Sequence, residues 1–149
     1  QVVIVRANSG IRTLQDLEGK RFAVQVSSKP DEILLNHEDV RIPEVDEIYC
    51  FSTLDEVYAC LRKGYCDAIA GHESALRLFM NSLPNEFYML EESLYKSELG
   101  VAFEKGTQEE LADELSKTLQ QMHQDGTTER ILAKYGINTE CAWSDAYAE

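Results

Sequence analysis

Residues 60–74 read CLRKGYCDAIAGHES, and this stretch decides the predicted fold. Gly64 follows a run with helical spacing, and residues 67–71 are short, small and apolar, as expected of an inner strand in a parallel sheet. His72 and Glu73 stand where that strand ends. Because ligands of open α/β sheets usually sit beyond the carboxyl ends of the strands, we expect His72 to lie at a ligand site.

Composition favours a globular domain and argues against a nucleic-acid-binding protein. The 149 residues suffice for one domain or two small lobes, and 44% of them are hydrophobic. A face that binds phosphates needs clustered Lys and Arg, whereas the net charge is −13. No apolar run approaches the ~20 residues that a membrane helix requires. Since the chain does not begin with Met, we expect a fragment whose parent protein would have lost any signal peptide.

The four cysteines, Cys50, Cys60, Cys66 and Cys141, form no CxxC pair, which argues against a zinc ribbon. Cys60 and Cys66 are expected close together, at a helix end and at the start of the next strand. Two readings stay open for them: a disulfide, or two small buried apolar residues. The cysteine count alone does not settle the cellular compartment.

Strands and helices alternate through residue 90, which is an α/β pattern. Strands are predicted at residues 2–5, 21–26, 47–51, 67–71, 87–90 and 99–103. Thr53 with Glu56 forms the sequence signature of a capping box before the second helix. The helix from His72 to about residue 81 is expected to turn three apolar side chains inward, namely Ala75, Leu78 and Phe79.

The end of the chain is predicted to be helical without intervening strands. Thr107 is expected to cap a helix, with Glu110 completing a capping box. An apolar stripe follows at near-helical period, and a second short helix carries another; their members are Leu111, Leu115, Leu119, Met122, Ile131, Leu132 and Tyr135. The change of pattern indicates that these helices pack on a different body from the preceding sheet.

The turn after the second strand is a candidate anion site. Ser27 and Ser28 precede a helix that opens at Lys29, and free backbone N–H groups converge at such a helix N-terminus. Pro30 removes one donor, and Asp31 already places negative charge in the first turn. Ser28 is equally well read as a plain N-cap.

Four blocks of the chain, in this order and spacing, resemble the extracellular solute-binding proteins of family 3, which have the type II periplasmic-binding fold. The blocks are TLQDLEGKRFAVQ (residues 13–25), FSTLDEVYACLRKGYCDAIAG (51–71), LGVAFEKG (99–106) and LSKTLQQMHQDGTTERILAKYG (115–136). The resemblance implies an α/β lobe with a central, mostly parallel sheet flanked by helices. Residues 9–96 would be ligand-binding lobe 2, while residues 1–8 and 97–149 would be hinge strands and C-terminal helices of an incomplete lobe 1.

The resemblance also implies ligand-binding residues. Amino-acid binders carry roughly Gly-Thr-Thr in the strand-to-helix turn, and the matching residues here are Ser27, Ser28 and Lys29. Gln25, at the end of the strand before the turn, joins this set. Those binders place an acid after the 67–71 strand to pair with the ligand ammonium, and the matching residue is His72. A neutral imidazole does not replace a carboxylate's charge, so Glu73 is the alternative partner.

The expected function is periplasmic or extracellular binding of an amino acid or related small polar solute for an ABC importer, by closure of two lobes. The alternative is the same module as the extracellular sensor of a membrane-anchored histidine kinase or diguanylate cyclase. An ABC permease or a membrane signalling domain would then be the partner. We expect no enzymatic activity, although a dehydratase of this fold would draw on His72 and Glu73. No cofactor or metal is expected.

The apolar stripes of the two C-terminal helices would lose the lobe 1 sheet that they normally cover. Exposed stripes promote association, so we expect this fragment to form a homodimer.

Overall fold

The computed structural model describes residues 1–37, 40–97 and 100–137. They form two compact units, which divide after Ser97. The first unit contains a single five-stranded sheet with its helices, and the second contains two helices.

The sheet of the first unit is mostly parallel, as predicted. Its strands are β1 (Val2–Arg6), β2 (Arg21–Gln25), β3 (Glu47–Phe51), β4 (Ala68–Gly71) and β5 (Phe87–Met89). Their order across the sheet is β3-β2-β4-β1-β5. β2 runs parallel to β3 and β4, whereas β1 runs antiparallel to both β4 and β5. Four strands therefore share one direction, and β1 is the reversed strand between two of them.

The first unit also contains a short 3₁₀ turn at Gln15–Leu17 and the helices α1 (Lys29–Asn36), α2 (Leu54–Arg62) and α3 (Glu73–Asn81). The second unit contains α4 (Glu109–Gln124) and α5 (Thr127–Lys134). Thr53 forms the predicted capping box: its hydroxyl accepts from the Glu56 amide, and the Glu56 carboxylate accepts from the Thr53 amide. The expected N-cap at Ser28 is also confirmed.

Two hydrophobic clusters cover the two faces of the sheet. Successive side chains of β1 alternate between them, because successive residues of a strand point to opposite faces. One cluster includes Val3 and Val5 and is completed by α1 through Ile33 and Leu34. The other includes Ile4 and is completed by α2 and α3. The sheet is thus the middle layer of the first unit.

The predicted inward face of α3 is wrong at Leu78, which is 73% exposed. The fully buried residue of this helix is Leu76, and Phe79 and Met80 pack against the same cluster. These three residues stand at i, i+3 and i+4 and share one face of the helix, whereas Leu78 lies off that face.

Two predictions at the start of the second unit are also wrong. Residues 100–104 form no strand, because no neighbouring strand in the described chain satisfies their backbone groups; Leu99 lies outside the described residues. Thr107 does not cap α4, which begins at Glu109 after Gln108 in the left-handed region (φ +55°). The Thr107 hydroxyl instead donates to the carbonyl of Glu104. The tail from residue 138 also lies outside the described residues.

Candidate ligand-binding site

One edge of the sheet collects the carboxyl ends of β2, β3 and β4. Gln25 ends β2 opposite Phe51, the last residue of β3, and Gly71 ends β4 opposite Val2. Neighbouring strands lie about 4.8 Å apart, so the turns that follow these strands lie side by side. The six residues predicted to bind ligand all end or follow β2 and β4. We call this edge the site edge.

The turn after β2 is built around a left-handed residue. Ser27 has φ +59°, a conformation that glycine adopts most easily. The Ser27 amide donates to Oδ2 of Asp31 at 2.8 Å, and the Asp31 amide donates to the hydroxyl of Ser28 at 3.4 Å. These two bonds hold the turn and the first turn of α1 together.

Asp31 is the acid within this turn, and it is only 7% exposed. Its Oδ1 accepts a hydrogen bond from Sγ of Cys50, at 3.1 Å. Desolvation around the sulfur and the neighbouring carboxylate raise the pKa of the Cys50 thiol to about 11, so Cys50 keeps its proton at neutral pH and donates it to Asp31. Because Asp31 also accepts from the Ser27 amide, that N–H group is already bonded within the protein and is not left for an anionic ligand.

Gln25 and Lys29 flank the turn, and both make contacts within the protein. The Gln25 side-chain amide donates to the carbonyl of Ser52, which ties the ends of β2 and β3 together at 3.2 Å. The Lys29 ammonium lies 2.9 Å from the Glu32 carboxylate and 5.2 Å from the centre of the Tyr95 ring. Lys29 is half-buried and lies along the site edge through its contact with Tyr95.

His72 and Glu73 follow β4, and each has a local partner. His72 is exposed and precedes α3; its Nδ1 lies 3.2 Å from the hydroxyl of Ser74. Oε1 of Glu73 accepts from both Nε and Nη2 of Arg77, at 2.7 Å each. A ligand ammonium that approached this carboxylate would share it with a guanidinium already in place.

Sequence reasoning missed three residues of the site edge. Ser52 and Tyr95 contact Gln25 and Lys29 from distant parts of the chain, and no local pattern announces such pairs. Arg77 was detectable, because Glu73 and Arg77 have the i, i+4 spacing that places opposite charges together on a helix. In the part of the chain that the structure describes, no three His, Cys, Asp or Glu side chains gather as a metal site would require.

The layered α/β unit and its polar edge define a lobe of the periplasmic-binding-protein type. The chain belongs to the family described as "ABC transporter, phosphonate, periplasmic substrate-binding protein", whose model matches residues 1–146. The type II periplasmic-binding fold implied by the sequence is thereby confirmed. The matching family model is that of the phosphonate-binding proteins, whereas the sequence resemblance was to the solute-binding proteins of family 3. No curated protein matches the chain.

Solved structures agree with this assignment. The substrate-binding protein of an amino acid ABC transporter shares 24% identity, with a TM-score of 0.66 over 90% of this chain. An ancestral arginine-binding protein was solved with glutamine (25% identity, TM-score 0.66) and with arginine (26% identity, TM-score 0.65), again over 90% of this chain. The chain spans 58% of the length of each of these structures. Within residues 1–37, 40–97 and 100–137, no helix is long and apolar enough to cross a membrane.

Proposed function

We propose that this chain supplies one ligand-binding lobe of a substrate-binding protein that delivers an amino acid or a related small polar solute to an ABC importer. In the whole protein, a second lobe would close over the site edge and shift an open–closed equilibrium toward the bound state. The observation that carries the proposal is the convergence of polar groups from the ends of β2, β3 and β4 at one edge of the sheet. The family match and the arginine- and glutamine-bound neighbours support it.

The contacts of the site edge narrow the chemistry of the ligand. Since the Ser27 amide donates to Asp31, an anionic group of the ligand is left to the Ser28 hydroxyl and to the Lys29 ammonium, which it would share with Glu32. At the end of β4, Nδ1 of the exposed His72 imidazole lies near the Ser74 hydroxyl, and Nε2 is the ring nitrogen left to hydrogen-bond a polar group of the ligand. We therefore propose a ligand that hydrogen-bonds to His72 through a polar group and whose negative charge faces Lys29.

The ion pair between Glu73 and Arg77 favours a second function, that of a ligand sensor. The Glu73 carboxylate, nearest to the expected position of an amino acid's ammonium, is already engaged by Arg77. Weak or altered binding of this kind suits a sensor domain, which needs only to bias a neighbouring domain. The alternative proposal is therefore an extracellular ligand-sensing domain of a membrane signalling protein.

Thermal denaturation of the full-length protein, with both lobes present, tests these proposals. The panel contains amino acids, simple amines, organic acids and an aminoalkylphosphonate, because a ligand that binds only the folded state raises Tm. We expect at least one of these solutes to raise Tm in a concentration-dependent manner. His72→Ala should weaken the binding of that solute by about tenfold, the effect of one lost hydrogen bond.

The matched control is His37→Asn. His37 is an exposed histidine at the C-terminus of α1, the end away from the site edge. Its backbone is in the left-handed region, which Asn also tolerates. This variant should bind as the parent does. If no solute in the panel raises Tm, the importer function is contradicted and the sensor function is favoured. If a solute binds equally well to His72→Ala, the placement of the ligand beside β4 is wrong.

A further inference from the structure

The end of α2 brings two buried thiols together. Cys60 lies in the last turn of this helix, and Cys66 lies just before β4. Both are buried in the same hydrophobic cluster beneath α2, and only five residues separate them along the chain. Both are free thiols in this structure. A third cysteine, Cys50 at the site edge, is exposed and donates to Asp31.

The backbone explains why the two cysteines meet. The Gly64 amide donates to the carbonyl of Leu61 at 3.1 Å, and the Tyr65 amide donates to the carbonyl of Cys60 at 3.0 Å. This pair of bonds is the Schellman motif, which reverses the chain at a helix C-terminus around a left-handed residue. Gly64 is that residue, with φ +75°. The reversal places Cys66 against the helical turn that carries Cys60.

Two arginines hold the reversed chain in place. The Arg6 guanidinium of β1 donates to the carbonyls of Leu61 (3.1 Å) and Cys66 (2.8 Å). Asp67 is fixed in turn by Arg21 of β2, which donates to both carboxylate oxygens. Separating the two cysteines would break bonds to two different strands. The proximity of the thiols is therefore a property of the packed sheet and not of a mobile loop.

We propose that Cys60 and Cys66 form an intramolecular disulfide in the mature protein. The family is described as periplasmic, and disulfides form and persist in oxidising compartments of that kind. The oxidant is a disulfide donor, either a small-molecule disulfide or an oxidised dithiol protein. One cysteine thiolate attacks the donor and forms a mixed disulfide; the second cysteine displaces the donor's remaining thiolate. Two protein thiols are oxidised, and one donor disulfide is reduced to two thiols.

The surroundings of the pair indicate when this bond forms. Burial, with the adjacent Cys60, raises the pKa of the Cys66 thiol well above its ordinary value. The thiolate is the attacking species, so a folded and reduced chain reacts slowly. The disulfide should therefore form while the chain folds and should afterwards resist reductants that do not unfold the protein. Its role is structural, since it crosslinks the helix end to the strand that leads to His72.

The experiment uses the 149-residue chain with Cys50→Ser and Cys141→Ser, so that only Cys60 and Cys66 remain; Cys141 lies outside the described residues. The chain is unfolded, reduced, and refolded with and without oxidised glutathione. We expect the oxidised product to be a monomer that is lighter by two hydrogen atoms and has no thiol to alkylate. A tryptic digest should link residues 42–62 to residues 64–77. Its Tm should exceed that of the reduced form by about 5–15 °C, since the bond closes a loop.

The control is Cys60→Ser in the same background, which should form only intermolecular disulfides or glutathione adducts. Folded reduced chain, treated with the same oxidant without unfolding, should react far more slowly than chain that is refolding. Two alkylatable thiols after refolding with oxidised glutathione would overturn the proposal. A crosslinked form that melts no higher than the reduced form would overturn its structural role.

Discussion

At the scale of single residues, Asp67 connects three parts of the first unit. Its Oδ2 accepts from the amide and Nε of Arg21 at 3.0 Å each, and its Oδ1 accepts from Nη2 of Arg21 at 3.1 Å. Arg6 lies 3.4 Å from the same Oδ1. The hydrogen bonds from Arg21, helped by the charges of both arginines, hold the pKa of Asp67 below its usual range. β4 is thus clamped to β1 and β2 by one carboxylate.

Replacing this carboxylate should destabilise the fold. We predict that Asp67→Asn lowers the free energy of unfolding by about 1–2 kcal/mol, because charged hydrogen bonds are lost while their arginine donors remain. The loss is smaller than for a fully buried pair, since the Asp67 side chain is 22% exposed and solvent screens it. Urea unfolding measures the effect. Asp46→Asn, at an exposed aspartate, is the control and should change stability by less than about 0.5 kcal/mol.

The difference in stability between the parent chain and Asp67→Asn should also depend on pH. A carboxyl whose pKa is lower in the folded state contributes stability above its unfolded pKa of about 3.9, and this contribution is lost as the pH falls through the folded value. The stability difference between the parent chain and Asp67→Asn should therefore be full at neutral pH and shrink below about pH 4. A difference that stayed constant down to about pH 2 would contradict the assignment of the lowered pKa to Asp67.

At the scale of elements, the C-terminus of α2 depends on one glycine. A Cβ at Gly64 would meet only Nη1 of Arg6, at an ordinary 3.8 Å, so space is not the obstacle. The obstacle is the left-handed conformation that the Schellman motif requires, which is costly for residues with a Cβ.

We predict that Gly64→Ala destabilises the chain by about 1 kcal/mol. If the Cys60–Cys66 bond forms as proposed, the substitution should also lower the yield of crosslinked monomer on refolding. Gly100→Ala is the matched control, because Gly100 is not in the left-handed region and a Cβ there meets nothing within 4 Å. Equal melting temperatures for the two variants would show that the turn at Gly64 does not contribute as described.

At the scale of the whole molecule, the two helices of the second unit expose several large apolar side chains. Neither α4 nor α5 contains a buried residue. Leu111, Leu119 and Ile131 are exposed at 48%, 40% and 44%. Amphipathic helices normally bury such a stripe against another body. The expectation from sequence that these stripes are open to contact with another chain therefore stays a prediction with a physical basis.

We predict that the 149-residue chain associates with a second copy through these helices. Sedimentation should show a concentration-dependent dimer, and Leu111→Glu with Leu119→Glu should shift it to monomer, because charge opposes burial of the stripe. Leu78→Glu removes one exposed leucine from α3 in the first unit and should leave the dimer intact. A parent chain that remains monomeric at high concentration would contradict the prediction.

Local signals in the sequence predicted much of this fold. They failed where the packing of distant elements determines which side chains are buried or where a helix begins. The bounds of β3 and the capping box at Thr53 follow from residues within a few positions of each other, and both are confirmed. Leu78 was expected inside, because helical period alone does not say which face meets the sheet. Thr107 was expected to cap α4, but Gln108 adopts the left-handed region and the helix begins at Glu109.

The sequence by itself determined the alternation of strands and helices, the turn at Gly64 and the polar residues that follow β2 and β4. Each of these depends on backbone preferences and side-chain spacing within a single element. Only the tertiary structure decided that β1 lies reversed between β4 and β5, that Asp31 bonds to Cys50 beside the Ser27 amide, and that Lys29 lies over Tyr95. These contacts join residues far apart in the chain, and local pattern carries no information about which distant groups packing will bring together.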